Sequence, residues 1–328
     1  MALHQFRGRV DLAWQIEQSL AASGLHLSDA ERERLTQLAR ESLHAYPQVN
    51  QYTSFIGNVI ASRVAAHHDF TGPAFTVSDE GASVLRALDL ARLLLYSDPT
   101  LEAVVVGAVD LTGGLERLTA LQQHAPLHSG DEPPSFSFAA HSTGWLPGEG
   151  AGAVVVQRLA DVPAHQRVYA CLDGLAIVQQ ATPTPAALVA AIQQAHAQCG
   201  TRPTDTGYLE LSATGNAACD AAEATAIAHA YPREAAPIPT CALGSVTATI
   251  GYTGAAAGMA SLIRTALALY ERYIPATPHW YAPRALANWA ASGLYVADSS
   301  RAWFARRQSL RRAALNVVTP EGTHAHIL

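Results

Sequence analysis

The sequence predicts an α/β protein whose apolar central sheets are covered by helices, and three observations carry that prediction. Strand-like and helix-like stretches alternate through two successive halves, with a restart after Pro163. The stretch Ala103 to Asp110 (AVVVGAVD) is apolar up to its last residue, the pattern of a strand buried on both faces. Only 15% of the 328 residues are charged, against 49% hydrophobic. Such a chain buries enough apolar surface to offset its ordering entropy, so disorder is excluded.

The elements follow in order. Asp11 to Leu20 has helical spacing. Ser28 and Glu31 form an S-x-x-E capping box ahead of Leu35, Leu38 and Leu43, and Pro47 ends that helix. From Gln51 the chain becomes small, apolar and Gly-punctuated. Phe75 to Ser78 reads as a strand, Ala82 to Tyr96 as a buried helix, and Ala103 to Asp110 and Ala151 to Gln157 as strands. Beyond Pro163, Arg167 to Asp173 reads as a strand, Pro185 to Cys199 as a helix and Tyr208 to Ser212 as a strand. Asp220 to Ala230 reads as a helix with Asp220 as N-cap and Glu223 as its capping partner. Ala255 to Tyr273 is a long helix, and Ala313 to Val318 and Ala325 to Leu328 are closing strands. The expected organisation is a helical segment over 1–48, a first half over 49–162 and a second half over 163–328.

Composition removes several chemistries. All 21 basic residues are Arg. Without Lys there is no Walker-A phosphate loop, pyridoxal Schiff base or lysine general base. The net charge is −6 and nothing basic is long enough to suggest nucleic acid, which is therefore not an expected partner. Cys171, Cys199, Cys219 and Cys241 lack C-x-x-C spacing, which argues against a zinc site or a disulfide scaffold. Met1 to Ala22 mixes charged and apolar residues and no apolar run reaches membrane-spanning length, so no membrane insertion and a cytoplasmic setting are expected.

Gly148, Gly150 and Gly152 (GEGAGA) suggest a dinucleotide loop, but an apolar strand follows where a helix N-terminus would be needed. The run reads as a tight turn feeding a core strand, and Gly113-Gly114 as another turn. His67-His68, His124 with His128, and His324 with His326 lack the third and fourth converging donors of a metal site. No G-x-S-x-G nucleophile elbow occurs.

Four segments carry a resemblance: GPAFTV (Gly72 to Val77), GEGAGAVVV (Gly148 to Val156), GSVTATIGYTGAAAG (Gly244 to Gly258) and EGTHAHIL (Glu321 to Leu328). Their order and spacing resemble those of β-ketoacyl synthases, the thiolase-fold condensing enzymes of fatty acid and polyketide synthesis. The stretch from Tyr52 to Asp110 resembles the synthase-like and chain-length-factor-like domains of bacterial polyunsaturated fatty acid synthases. The resemblance implies a thiolase-like α/β fold of two similar halves in αβαβα layers. The core strands that active synthases place before the equivalent of Gln51 are not spelled here, so the first half reads as N-terminally incomplete. An exposed sheet edge, and a chain that is not a stable monomer, are the expected consequences.

The resemblance also places a reaction centre. Active members carry a Cys nucleophile on a strained turn at the N-terminus of a buried helix, where the helix and backbone N–H groups activate the thiol and hold the oxyanion. Aligned through GPAFTV, that position is Gly81, flanked by Asp79 and Glu80. The first catalytic His, opening H-G-T-G-T, falls on Ser212. The second, in K-S-N-I-G-H-T, falls on Tyr252, and its Lys on Thr247. The loop G-F-G-G-T-N-A-H is replaced from Val318-Thr319-Pro320-Glu321 onward, which removes the Phe that gates the acyl pocket and leaves Thr319 as a pocket residue. No intact catalytic residue remains, and a hydroxyl at Ser212 or Tyr252 carries no positive charge. Cys219 and Cys241 read as buried structural cysteines.

The first expectation is therefore a catalytically degenerate domain that pairs with an active ketosynthase, or with itself, through the strand Ala74 to Ser78. No cofactor is expected on the chain itself. Phosphopantetheine-linked acyl groups would arrive on a partner acyl carrier protein. Two alternatives stay open: an acyl-transferring or thioester-processing enzyme using Ser212 or Tyr252, and a truncated fragment without function.

Overall fold

The computed structural model describes residues 12–43, 57–111, 118–119, 121–122, 126–129, 135–231, 239–284, 292–305 and 310–328. The chain divides into two units, residues 1–76 and 77–328. Asp11, Pro47, Gln51, Gly113-Gly114 and His124 lie outside the described residues.

The first unit contains α1 (Leu12–Ser23), α2 (Asp29–Leu43) and α3 (Gly57–His67). The capping box forms as expected. Ser28 N donates to Glu31 Oε2 at 2.8 Å and Glu31 N to Ser28 Oγ at 3.4 Å, which satisfies two backbone donors reciprocally. At the end of the unit, Thr76 N donates to Asn58 Oδ1 and Thr76 Oγ1 to the Gly57 carbonyl, tying the chain to the start of α3.

The second unit opens with a 3₁₀ turn at Glu80–Ala82 and continues into α4 (Ser83–Ser97), β1 (Val104–Asp110), β2 (Gly150–Val156), β3 (Leu175–Gln179), α5 (Pro185–Cys199), β4 (Tyr208–Glu210), α6 (Ala217–Ala230), β5 (Cys241–Gly244), a one-turn α7 (Thr247–Ile250), α8 (Ala257–Tyr270), β6 (Tyr273–Ile274), β7 (Leu294–Val296), β8 (Arg301–Ala302), β9 (Ala313–Val318) and β10 (Thr323–Ile327). A six-stranded sheet runs β3-β10-β9-β4-β5-β7. Its β3-β10-β9 part is antiparallel, while β9, β4, β5 and β7 are parallel. β1 and β2 form a separate antiparallel pair, and β6 and β8 a third.

The layers follow from side-chain alternation. On β9, Ala314 and Val318 pack with Leu188 and Ile192 of α5 and Ile227 of α6. The intervening Leu315 and Val317 pack with Val84, Leu85 and Leu88 of α4 and Met259 and Leu262 of α8. The far side of α4 and α8 meets Val106 of β1 and Val154 of β2. The order is helices, six-stranded sheet, helices, two-stranded sheet. α5 starts with the Thr184 hydroxyl accepting from Ala187 N, with Pro185 at the first position, and ends at Gly200 in the left-handed region (φ 62°). The Arg158 guanidinium staples the end of β2 to the C-terminus of α4, donating to the carbonyls of Leu95, Pro99 and Leu101.

Four expectations need correction. Residues 73–79 form no regular element and pair with no strand among the described residues, so no ladder forms over Phe75 to Ser78. The segment Arg167 to Asp173 is likewise not a strand: its one ladder-like tie is Asp173 N to the Leu328 carbonyl, and Val168, Tyr169 and Leu172 are exposed. The strand begins only at Leu175, where β10 lies alongside. β1 is not buried on both faces. Val104, Val106 and Ala108 face the α4–α8 layer, but Val105 and Val109 are 47% and 53% exposed, with Val155 beside them at 64%. A run of small apolar residues does not reveal whether a second layer is present to cover it. Finally, α6 begins at Ala217, because Asn216 Oδ1 caps Ala218 N and Cys219 N. Asp220 and Glu223 are then fully buried within the helix rather than forming its cap.

Candidate reaction centre

Gly81 lies in the turn that opens α4, and the turn is strained. Glu80 takes φ +43°, a left-handed conformation that non-glycine residues seldom adopt. Ser83 Oγ fixes the turn by donating to the Glu80 carbonyl at 2.7 Å and accepting from Asp79 N at 2.9 Å. Asp79 in turn pairs with Arg86 at 2.8 Å. The backbone elbow is present; the side chain at residue 81 is not.

Space at that position is already taken. A Cβ built on Gly81 would meet the Tyr252 hydroxyl at 2.5 Å and Thr319 Cγ2 at 3.3 Å. Three expected site residues therefore converge on one point. Thr319 is buried, and its carbonyl accepts from Gly322 N while its hydroxyl accepts from Thr323 N. Tyr252 is held by its backbone: its N donates to the Leu146 carbonyl at 2.7 Å, and its carbonyl accepts from Gly148 N at 3.0 Å. Its ring meets the buried Trp145 edge-on, with centroids 5.1 Å apart. Gly148 has the tight-turn role read from the sequence, since a Cβ there would run into the Ile250 carbonyl oxygen, and the strand β2 follows it.

Ser212 sits one strand further along. Its hydroxyl donates to the Val318 carbonyl at 3.3 Å and accepts from Val318 N at 3.2 Å. Both bonds stitch it to the end of β9, one residue before Thr319. Thr247 is buried, with its hydroxyl on Ser245 Oγ at 2.8 Å and the Ala213 carbonyl at 3.3 Å. Ala213, Thr247, Tyr252, Ser137, Thr214 and Leu146 border a cavity of about 10 Å³, room for one water at most.

Behind these residues stands a set of buried polar groups that sequence reasoning does not place. Glu223, read from the sequence as a helix cap, accepts from Ser212 N at 2.9 Å, Ala213 N at 3.0 Å and Asn316 Nδ2 at 3.1 Å. Burial pushes its carboxyl up to about 7, against the pull of the two backbone N–H groups. Asn316 Oδ1 is an acceptor only, so the 2.7 Å contact to His326 has His326 Nδ1 donating. Burial, with His196 nearby, lowers His326 to about 3, which keeps the ring neutral near pH 7. A second network surrounds Glu210, which is completely buried. It accepts from Tyr208 Oη, Val246 N and Arg264. The signal for both is a polar residue inside an apolar run, Glu210 in YLEL and Asn316 in ALNVV, which periodicity alone cannot interpret.

His324 Nε2 accepts from Thr184 N at 2.9 Å, and His128 contacts the Thr143 hydroxyl at 3.1 Å. Among the described residues no three His, Cys, Asp or Glu side chains converge as a metal site. Cys219 and Cys241 are buried, and burial pushes Cys219 up to about 12 and Cys241 higher still, which keeps both as thiols. No helix among the described residues is long and apolar enough to cross a membrane.

With this geometry in hand, comparison with known proteins is direct. Residues 19–162 match the family described as Beta-ketoacyl synthase, N-terminal domain, and residues 167–281 match Beta-ketoacyl synthase, C-terminal domain. A polyunsaturated fatty acid synthase chain from Thraustochytrium sp. is 37% identical over 286 residues, covering 82% of this chain and 13% of that protein. Erythronolide synthase EryA3 of Saccharopolyspora erythraea is 32% identical over 283 residues, covering 84% of this chain and 9% of its own length. The chain thus spans a small fraction of these curated relatives. Among solved structures, the PfaC Keto synthase-Chain length factor is 34% identical with a TM-score of 0.68, covering 99% of this chain and 30% of that one. The ketosynthase from module 6 of the bacillaene synthase of Bacillus subtilis 168 is 26% identical with a TM-score of 0.75, covering 86% of this chain and 52% of that one. Matched across both of its family domains and sharing the thiolase-like α/β fold of these ketosynthases, the chain belongs to the β-ketoacyl synthase family.

Proposed function

We propose that this chain is a catalytically degenerate, chain-length-factor-like domain that pairs with an active ketosynthase in fatty acid or polyketide synthesis. The observation that carries the reading is the convergence of Gly81, Tyr252 and Thr319 on one point without a thiol, imidazole or ammonium group among them. Condensation needs a thiolate to carry the acyl chain and cationic or strongly polarising donors to stabilise the developing enolate. Neither requirement is met by a glycine, a phenol and a threonine. The reading keeps the domain in the cytoplasm beside its carrier protein. Its role is to help shape the acyl tunnel of an active partner, whose substrates arrive as phosphopantetheine thioesters.

The alternative in which Ser212 acts as a nucleophile fits poorly. Both bonding directions of its hydroxyl are occupied by the Val318 backbone, and its neighbour Glu223 meets its N–H rather than its Oγ. Self-association or pairing through residues 74–78 remains part of the reading, since these residues join no sheet among the described residues.

The test is co-expression with an active ketosynthase and its acyl carrier protein. The reading expects a one-to-one complex by native mass spectrometry, and a product chain-length distribution that shifts when this domain is varied. No complex, or products identical with and without the domain, refutes it.

A further inference from the structure

We infer that Tyr252 is a built-in plug, interlocked with Gly81, so that the nucleophile's place is filled as well as vacated. The inference goes beyond the partner-domain reading and holds whether or not the chain binds a synthase.

Three observations carry it. First, the space a side chain at residue 81 would need is occupied from two sides, by the Tyr252 hydroxyl 2.5 Å from the Cβ position and by Thr319 Cγ2 at 3.3 Å. Real Cβ atoms do not tolerate the first distance, so even alanine at residue 81 requires Tyr252 to move. Second, Tyr252 is poorly placed to move. Its backbone is bonded on both sides to the 146–148 segment, and its ring lies against the buried Trp145. Gly251, just before it, takes φ +75° with the Pro147 and Leu146 carbonyls against the place of its own Cβ. That arrangement fixes the backbone from which the half-buried ring projects. Third, the adjoining space bounded by Tyr252, Thr247 and Ala213 is about 10 Å³, too small for the phenol to swing into.

Residue 81 is therefore glycine because of Tyr252. A single reversion to cysteine does not recreate a reactive thiol, whereas a double change does. The elbow itself, with its strained Glu80 and the N-terminus of α4 behind it, is still in place to receive one.

The experiment has two arms, neither of which involves a carrier protein or partner. In the first, a thermal double-mutant cycle combines Gly81→Ala with Tyr252→Phe, which removes only the clashing oxygen. Gly81→Ala alone lowers Tm by at least about 4 °C, as an overpacked core site does, and by about 1 °C or less when Tyr252→Phe is already present. In the second, iodoacetamide labelling is followed by peptide mapping, so that the exposed Cys171 is counted separately. The peptide containing residue 81 labels at least about tenfold faster in Gly81→Cys/Tyr252→Ala than in Gly81→Cys. If Gly81→Cys fails to fold and the double variant folds, the interlock is equally supported. Equal labelling of the two, or additive Tm shifts in the cycle, overturns it.

Discussion

The turn at residues 79–83 and the turn at residues 211–216 both border Tyr252, and they have kept different things. At the first, the backbone strain survives at Glu80 while residue 81 has no side chain. At the second, Ser212 stands where the family resemblance implies a histidine, while the support behind it is complete. Glu223 holds the N–H groups of Ser212 and Ala213, and Ala213 keeps a left-handed backbone at φ +43°. The difference teaches where the fold's stability resides. Buried carboxylates that hold backbone N–H groups are structural whatever the chemistry, because removing them leaves desolvated donors unpaired. On the proposed reading, the groups aimed into the centre are replaceable, because a fold and the chemistry grafted on it are separable.

Variants sort by this distinction. The largest loss is expected at Arg264→Ala, which leaves the fully buried Glu210 without its cation and costs about 3–5 kcal/mol in urea unfolding. Glu223→Ala comes next at about 2–4 kcal/mol, from three orphaned donors. If either variant proves neutral, the division between support and centre fails.

His326 sharpens the comparison through pH. Its pKa is about 3 in the folded protein against an ordinary 6.5, so below pH 6.5 the unfolded chain takes up a proton that the folded chain does not. Its effect is therefore to reduce stability as pH falls. The stability gap between the parent and His326→Leu narrows by about 1.4 kcal/mol for each unit below about pH 6, read from unfolding curves at pH 6, 5 and 4. Glu223 runs the other way. Raised to about 7 from 4.5, it loses stability as pH rises through that window, because the unfolded chain releases its proton first. The smallest effect is expected at Ser212→Ala, about 1 kcal/mol or less, with no change in any acyl turnover. A lost activity there would revive the serine-nucleophile alternative.

Much of this was legible in the residues. The Ser28–Glu31 box, Pro185 to Cys199 and Ala313 to Val318 form where local chemistry places them. Gly81, Tyr252 and Thr319, singled out through the family resemblance, converge on one point. What was not legible depends on neighbours. Phe75 to Ser78 and Arg167 to Asp173 have strand composition but no adjacent strand to pair with among the described residues. Val105 and Val109 look like core residues, and nothing in their own sequence says that they stand half-exposed. Asp220 and Glu223 look like a cap because spacing cannot distinguish a carboxylate at a helix start from one buried within the helix against a neighbouring loop.

One measurement bears most directly on the claim that the centre is inert. The purified chain is incubated with malonyl- and acyl-loaded carrier protein, and released carbon dioxide and the intact mass of the chain are followed together. The account predicts no acyl adduct on the chain and no carbon dioxide above a protein-free blank. A stoichiometric adduct on any of its residues, or sustained decarboxylation by the chain alone, contradicts it.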